Sequence, residues 1–140
     1  DDPFRKLDDV IEQIKMEHGK HTIIVDVHGE STSEKMAIGH YLDGKVTAIL
    51  GTHTHVPTAD LQILKKGTFY QTDLGMCGDY DSVIGMKKEE CIQKFTKKFI
   101  KTRLEPANGE GTLCGTIINV DKEMKVSEFK QIFKGGRLNS

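Results

Sequence analysis

The sequence predicts an α/β protein with a mixed sheet flanked by helices, and three observations lead to that fold class. Two nearly continuous apolar runs rich in β-branched residues, at 23–27 and 46–50, have the composition of strands covered on both faces. Apolar residues at helical spacing precede the first run, and a second helical segment joins the two runs. Strands that alternate with helices are typical of parallel α/β units, so we expect the two runs to be adjacent parallel strands.

The first helix is expected over residues 3–18. Asp2 can cap it by accepting hydrogen bonds from free N–H groups. Pro3 suits the first helical position, because proline has no N–H to lose. Gly19 then ends the helix. The local sequence therefore predicts both ends of this element.

A second helix is expected over residues 31–41, between the two apolar runs. Ser31 and Glu34 have the spacing of a capping box at its start, and the Asp-Gly pair at 43–44 ends it. After the second apolar run, residues 68–73 predict a third strand.

The C-terminal part predicts one more helix and a hairpin. The helix is expected over residues 87–102, with four apolar residues facing inward: Cys91, Ile92, Phe95 and Phe99. Residues 116–120 and 125–129 are expected to pair as antiparallel strands around a turn at 121–123, which would make the sheet mixed. Residues 134–140 are expected to form a flexible tail.

Length and composition are those of one globular domain over residues 1–140, with 36% hydrophobic and 29% charged residues. The 20 basic and 21 acidic residues give a net charge of −1, so no nucleic-acid-binding patch is predicted. The basic run 94–103 is interpreted as a solvated helix face.

No apolar stretch reaches the ~20 residues that cross a membrane. A cytoplasmic location is expected, because the cysteines are odd in number and widely spaced: Cys77, Cys91 and Cys114.

Three histidines follow the two apolar runs: His28 directly after the first, and His53 and His55 directly after the second. Ligands collect beyond the carboxyl ends of parallel strands, so we expect the three imidazoles to meet at one edge. In an extended segment residues two apart share a face, and His53 and His55 would point into one cavity. Gly51 would let the backbone turn before them. The pattern predicts a metal site; the alternative is a chance H-x-H with one side chain in the core.

Two carboxylates could support these ligands. Asp26 would share the strand face of His28 and could hold a ring N–H, and the alternative is a backbone or capping contact. Asp73 ends the predicted third strand at the same edge, where it could reach the site or form a turn. Glu30 would share the face of His28 only if the strand continued, and Glu34 is assigned to the capping box rather than to catalysis.

Several segments carry a resemblance to a known family. They are Asp26-Val-His28-Gly-Glu30-Ser-Thr-Ser-Glu-Lys35, Tyr41-Leu-Asp-Gly44, Gly51-Thr-His-Thr-His-Val56 with Thr58-Ala-Asp60, Thr72-Asp-Leu-Gly-Met76 and Asp81-Ser-Val-Ile-Gly85. In this order they closely resemble the YmdB-like family of calcineurin-type metallophosphoesterases. The likeness has few gaps up to Gly85 and continues more loosely to Val120.

The resemblance implies a phosphoesterase with two divalent metal ions, iron or manganese, and cyclic nucleotides are proposed among the family's substrates. His28 and His53 would bind one ion and His55 the other. Such ions lower the pKa of a shared water and neutralise charge on the phosphoryl oxygens. Family members also have an N-terminal half, which supplies an aspartate, a Glu-Asn pair and an Asn-His pair without counterparts here. The chain is therefore expected to be the C-terminal half of an α/β/β/α sandwich and, alone, a poor catalyst.

Two other functions stay open on the sequence. The chain could be a non-catalytic metal-binding or interaction domain, or a mononuclear zinc hydrolase with three histidine ligands and a water, although no general base is well placed. The partners expected are a small phosphoester substrate and no membrane. A halved sheet would leave an apolar edge, which favours a homo-oligomer.

Overall fold

The computed structural model describes residues 2–97 and 103–138. The elements are α1 (Pro3–His18), β1 (Ile24–His28), α2 (Thr32–Tyr41), β2 (Ala48–Thr52), β3 (Gln62–Ile63), β4 (Phe69–Gln71), α3 (Lys88–Thr96), β5 (Leu113–Val120) and β6 (Val126–Lys134). Strands β1 and β2 begin and end later than predicted, so that they include His28 and Thr52. Within the described ranges, no helix is long and apolar enough to span a membrane.

Both predicted N-terminal helices form, and a side-chain cap begins each one. Asp2 Oδ1 accepts hydrogen bonds from the N–H groups of Phe4 at 3.0 Å and Arg5 at 3.3 Å. Ser31 caps α2 by accepting from the N–H of Glu34 at 3.3 Å. These bonds satisfy donors that a helix leaves free at its start, so the local sequence sets where both helices begin.

The main sheet is mixed and has the strand order β1-β2-β4-β3. β1 and β2 are parallel neighbours, in register from Ile24 opposite Ala48 to His28 opposite Thr52, which confirms the predicted pair. β4 runs parallel to β2 on its other side, whereas β3 runs antiparallel to β4. The sequence did not indicate β3, because two residues are too few to show a strand pattern.

The C-terminal hairpin forms a separate two-stranded sheet, β5-β6. The expectation that it makes the main sheet mixed is wrong, since β3 does so. The predicted turn is confirmed, because Asp121 Oδ1 accepts from the N–H groups of Glu123 and Lys125 at 2.8 and 2.9 Å. The ladder runs from Leu113 to Lys134, further than the apolar alternation indicated.

Two apolar clusters cover the two faces of the main sheet. On one face Ile49 and Tyr70 pack with Ile11 of α1 and Ile38 of α2. On the other face the hairpin covers the sheet through a second cluster: Ala48, Leu50, Phe69, Ile118 and Val126. Neighbouring residues of a strand point to opposite faces, which is how β2 and β4 contribute to both clusters. The predicted α/β class is confirmed, with α1 and α2 on one face and the hairpin on the other.

Helix α3 is shorter than predicted. Lys97 follows it in an extended conformation, with φ −121° and ψ 117°, so the helix stops before that residue. Cys91 is buried as predicted, but Ile92 and Phe95 are 55% and 87% exposed, and their assignment to the inner face is wrong. A nine-residue helix presents only a narrow stripe to the core, and here that stripe is centred on Cys91. Phe99 lies outside the described residues.

The predicted tail begins later than expected. Lys134 is the last residue of β6. Beyond it, Arg137 Nη2 lies 3.0 Å from an Asp81 carboxylate oxygen, and the Leu138 N–H donates to Thr112 Oγ1 at 3.4 Å. Residues 139–140 lie outside the described part, and the flexibility of the tail stays a prediction.

Candidate metal centre

The carboxyl ends of β1 and β2 bring two of the predicted histidines together. His28 ends β1 opposite Thr52, which ends β2, and His53 follows directly. His28 Nε2 and His53 Nδ1 are 3.2 Å apart, and the two rings are nearly perpendicular, at 86°. Two nitrogens that bind one divalent ion at about 2.1 Å are themselves about 3.0–3.4 Å apart. The pair therefore fits a shared ion.

Thr52 sets the orientation and the tautomer of the His28 ring. The Thr52 hydroxyl donates a hydrogen bond to Asp26 Oδ1 at 2.8 Å, which leaves its oxygen to accept from His28 Nδ1 at 3.0 Å. With the ring proton on Nδ1, the lone pair is on Nε2, the atom that faces His53. Asp26 lies on the strand face of His28, as predicted, and is linked to the imidazole through the Thr52 hydroxyl.

Replacing Thr52 with valine keeps the β-branched shape but removes the hydroxyl that orients His28. We expect the affinity of the chain for Mn²⁺ to fall about 10–100-fold, the usual effect of losing a group that holds a metal ligand in place. The signal of free Mn²⁺ in electron paramagnetic resonance measures this directly. Thr96→Val is the matched control, because among the described residues its hydroxyl bonds only to the Ile92 carbonyl oxygen within α3. Equal affinities of the two variants would contradict the role of Thr52.

His53 and His55 lie in a bend rather than in an extended strand. The φ angle is 103° at His53 and 65° at His55, in the left-handed region that residues other than glycine rarely adopt. Strand alternation does not apply to such a segment, so the argument that both rings face one cavity by parity is wrong. Strained backbone of this kind persists only where the surrounding structure holds it, and it clusters at functional sites.

His55 is oriented separately, by a turn from a later part of the chain. Its Nδ1 lies 2.8 Å from the carbonyl oxygen of Ile84, so Nδ1 donates and Nε2 is the nitrogen left for a ligand. Ile84 has a φ of 48°, in a tight turn closed by backbone hydrogen bonds in both directions between Val83 and Met86. The carbonyl oxygen of a residue with strained backbone therefore fixes the tautomer of His55.

Two of the three histidines form a close pair, and the third, His55, is held by a different contact. Across residues 2–97 and 103–138, no three His, Cys, Asp or Glu side chains come close enough to hold one ion. The expectation that all three imidazoles meet at one edge of the sheet stays a prediction. The family resemblance assigns His28 and His53 to one ion and His55 to the other, and that assignment stays a prediction.

A buried ion pair holds the backbone around His53. Lys35 Nζ is 3.0 Å from Asp73 Oδ2, and both side chains are only 1% exposed. Lys35 also donates to the Thr52 carbonyl oxygen at 2.6 Å, and Asp73 Oδ2 accepts from the Thr54 N–H at 2.9 Å. The pair is thus hydrogen-bonded to the chain on both sides of His53, where it can stabilise the strained bend.

Asp73 supports the backbone of the site rather than a ring nitrogen. Its Oδ1 accepts from the Gly75 N–H at 2.9 Å, which is the turn-forming role that the sequence left open. Burial raises the pKa of the Asp73 carboxyl, but hydrogen bonds from Gly75, Thr54 and Lys35 outweigh it and hold the pKa below its ordinary value. This contribution to stability is therefore present at neutral pH and is lost as the pH falls through the lowered pKa.

Residues 1–132 match a family model described as YmdB-like protein. The chain belongs to the YmdB-like family. A 2′,3′-cyclic-nucleotide 2′-phosphodiesterase of Bacillus subtilis (strain 168) is 48% identical over 127 residues, which cover 89% of this chain and 46% of the relative. A putative phosphatase/phosphodiesterase of Mycoplasma pneumoniae is 50% identical over 124 residues, which cover 88% of this chain and 42% of the relative.

Solved structures share the fold of this YmdB-like chain. A hypothetical protein from Thermus thermophilus has a TM-score of 0.86 and 40% identity, covering 98% of this chain and 52% of that one. A novel phosphatase from Mycoplasma pneumoniae also has a TM-score of 0.86 and 40% identity, covering 96% of this chain and 47% of that one. The chain therefore spans about half the length of the relatives that it matches.

Three residues of this YmdB-like site have roles that the sequence did not indicate. Lys35 gave no signal, because a lysine in a helix is normally exposed. Thr52 could have been found from the parallel register, which places it opposite His28. Glu30 was considered only as a continuation of β1. It lies instead in the loop after β1, where its Oε2 is 2.9 Å from His53 Nε2 and its side chain is 85% exposed.

Gly51 has a different role from the one predicted. It lies inside β2, and its carbonyl oxygen accepts from the Leu74 N–H at 2.9 Å. A Cβ at this position would lie 1.7 Å from the Thr72 carbonyl oxygen and 3.1 Å from Lys35 Cδ. Gly51 thus allows β2 to approach the segment that carries Asp73, rather than allowing a turn before the histidines.

Proposed function

We propose that this YmdB-like chain is the C-terminal half of a metal-dependent phosphoesterase, in which His28 and His53 hold one divalent ion and His55 holds a second. The observation that carries the proposal is the 3.2 Å separation of His28 Nε2 and His53 Nδ1. The hydrogen bond from His28 Nδ1 to Thr52 leaves His28 Nε2 unprotonated and able to bind. Iron and manganese are the ions proposed, since imidazole nitrogens combined with oxygen ligands suit both.

The names of the relatives support the type of reaction. The Bacillus relative is described as a 2′,3′-cyclic-nucleotide 2′-phosphodiesterase and the Mycoplasma pneumoniae relative as a putative phosphatase/phosphodiesterase. The proposed substrate of the complete protein is a small phosphoester, with cyclic nucleotides among the candidates. This chain spans about half the length of those relatives. The remaining ligands of the ions are therefore proposed to come from a segment of the complete protein that corresponds to the other half of the relatives.

The residues of this chain would bind and orient the ions. When bound, the two ions would polarise the phosphoryl oxygens and lower the pKa of an attacking water. His28 and His53 present the nitrogens, and Glu30 holds the second nitrogen of the His53 ring at 2.9 Å. Asp73 is committed to Lys35 and to backbone N–H groups, so it is a poor candidate for a ligand. Since the described residues offer no three-ligand group, the chain alone is proposed to be a poor catalyst.

The test measures hydrolysis of bis(p-nitrophenyl) phosphate with added Mn²⁺ by the 140-residue chain and by the full-length gene product. The full-length product should be faster by at least about 100-fold, because a missing proton donor alone accounts for a factor of this size. His53→Ala in the full-length product should remove the activity, and His40→Ala, at an exposed position of α2, should leave it unchanged. Comparable rates for the short and the long protein would mean that the half-enzyme proposal is wrong.

The alternatives are separated by the same assay. A mononuclear zinc site needs three ligands around one ion, and the described residues bring only His28 and His53 together, which disfavours it. A non-catalytic metal-binding or interaction domain predicts no turnover by the full-length product. A cytoplasmic location and self-association through an apolar edge of the sheet remain predictions.

A further inference from the structure

A cavity lies at the end of the main sheet opposite to the histidines. It has a volume of about 370 Å³. Its floor is formed by residues that come just before the strands: Ile23 before β1, Val46 and Thr47 before β2, and Gly67 before β4. A cavity of this size is within the range of about 300–1,000 Å³ in which proteins hold small ligands.

Lysines from five separate segments line this cavity. They come from the end of α1, from the three loops that lead into β1, β2 and β4, and from the hairpin turn: Lys15, Lys20, Lys45, Lys66 and Lys125. Glu123 is the acidic residue among the lining residues. The whole chain has a net charge of −1, so this concentration of positive charge is local and does not reflect a basic protein.

Nearby carboxylates neutralise only part of this charge. Lys20 pairs with Glu123, and Lys45 Nζ lies 2.7 Å from Asp8 Oδ1. Within the described ranges, the other three lysines make no ion pair: Lys15, Lys66 and Lys125. Like charges around a concave wall raise the local concentration of counter-ions, because the protein interior focuses their field.

The backbone that carries two of these lysines is fixed in place. Asp43, which is buried, accepts hydrogen bonds from the N–H groups of Lys66 at 2.9 Å and Thr68 at 3.3 Å. Asp121 accepts from the N–H of Lys125 at 2.9 Å in the hairpin turn. Because this backbone is already fixed, binding of a ligand would cost only the entropy of the lysine side chains themselves.

We propose that this lysine-lined cavity binds a small anion with two or more phosphate groups. Several ammonium groups on different walls suit a ligand whose negative charges are separated, and lysine is a common phosphate ligand as a point charge. The concave shape favours a small molecule over a nucleic-acid strand. The site is distinct from the histidine pair and does not depend on the proposed phosphoesterase activity.

The test titrates inorganic pyrophosphate into the metal-free 140-residue chain by isothermal calorimetry, with His53→Ala as the background so that the histidine pair cannot contribute. Lys66→Gln with Lys125→Gln should weaken binding by about tenfold or more, which is about 1.4 kcal/mol. Lys65→Gln with Lys122→Gln is the matched control, since it removes the same charge from exposed neighbours that do not line the cavity. The control should change the affinity less than about twofold, because exposed charges away from the ligand are screened by salt.

Three results would overturn the proposal. Pyrophosphate could fail to bind, the two double variants could weaken binding equally, or citrate could bind as tightly as pyrophosphate. The last result would mean that the cavity attracts anions without selecting phosphate groups. A parallel titration with ADP shows whether a nucleotide diphosphate or free pyrophosphate is the better ligand, and either one supports the site.

Discussion

Replacing Lys35 with methionine should lower the free energy of unfolding by about 3–5 kcal/mol, the usual effect of breaking a buried ion pair from one side. Methionine fills a similar volume, but it leaves the Asp73 carboxylate buried, at 1% exposure, without its cation. The Thr52 carbonyl oxygen also loses a donor at 2.6 Å. Urea unfolding followed by circular dichroism measures the loss.

Lys87 provides the matched control for this prediction. It pairs with Glu105 at the surface, where the two side chains are 39% and 57% exposed. Lys87→Met should change the stability by less than about 1 kcal/mol. If Lys35→Met does not fold, the double variant with Asp73→Asn keeps the test usable, because removing both charges should recover part of the stability. The prediction fails if Lys35→Met is as stable as Lys87→Met.

His28→Ala and His53→Ala should each weaken the binding of Mn²⁺ to the 140-residue chain by about tenfold or more, equivalent to about 1.4 kcal/mol. The reason is that the two nitrogens, 3.2 Å apart, are proposed to share one ion, so the loss of either leaves a single imidazole. Binding to the unmodified chain should itself be weak, since two imidazoles are few ligands for one ion. The electron paramagnetic resonance signal of free Mn²⁺ gives the affinity without an activity assay.

Two further variants make this metal test specific. His55→Ala should leave the affinity of the shared ion nearly unchanged, because His55 is proposed to hold the other ion and its Nδ1 bonds to the Ile84 carbonyl oxygen. His40→Ala, at an exposed position of α2, should have no effect. The assignment of the shared ion would be wrong if His28→Ala and His53→Ala bound Mn²⁺ as well as His40→Ala.

The position of the site could be predicted because it depends on local sequence. The two β-branched runs and the Ser31 cap identify a strand, a helix and a second strand. Parallel pairing then places the two strand ends at one edge. His28 and His53 become neighbours for this reason, and Asp26 shares the face of His28 because side chains in a strand alternate.

The conformation of the site could not be predicted because it depends on contacts between distant residues. Lys35 can be buried because the carboxylate of Asp73, 38 residues later, pairs with its ammonium group. The bend at His53 is held by that pair, and the ring of His55 by a carbonyl of another turn. Hydrophobic periodicity reports which face of an element is apolar, and it carries no information about such polar contacts.

The placement of the hairpin is a second example. Alternation in the sequence indicated that β5 and β6 pair with each other, and they do. It could not indicate whether the hairpin joins the edge of the main sheet or covers its face. Packing decides this: Phe69 of β4 and Phe129 of β6 have ring centroids 5.0 Å apart, which places the hairpin over the face.

The left-handed backbone at His53 and His55 puts stability in competition with the proposed metal binding. A residue held in such a conformation costs roughly 1–3 kcal/mol, and glycine would remove most of that strain. Glycine would also remove the imidazole. Selection for heat resistance alone would therefore favour loss of the two histidines, and a protein optimised in that way would gain stability as it lost the proposed metal ligands. Stabilising substitutions in this chain belong at positions such as the exposed Phe95, which carries no such conflict.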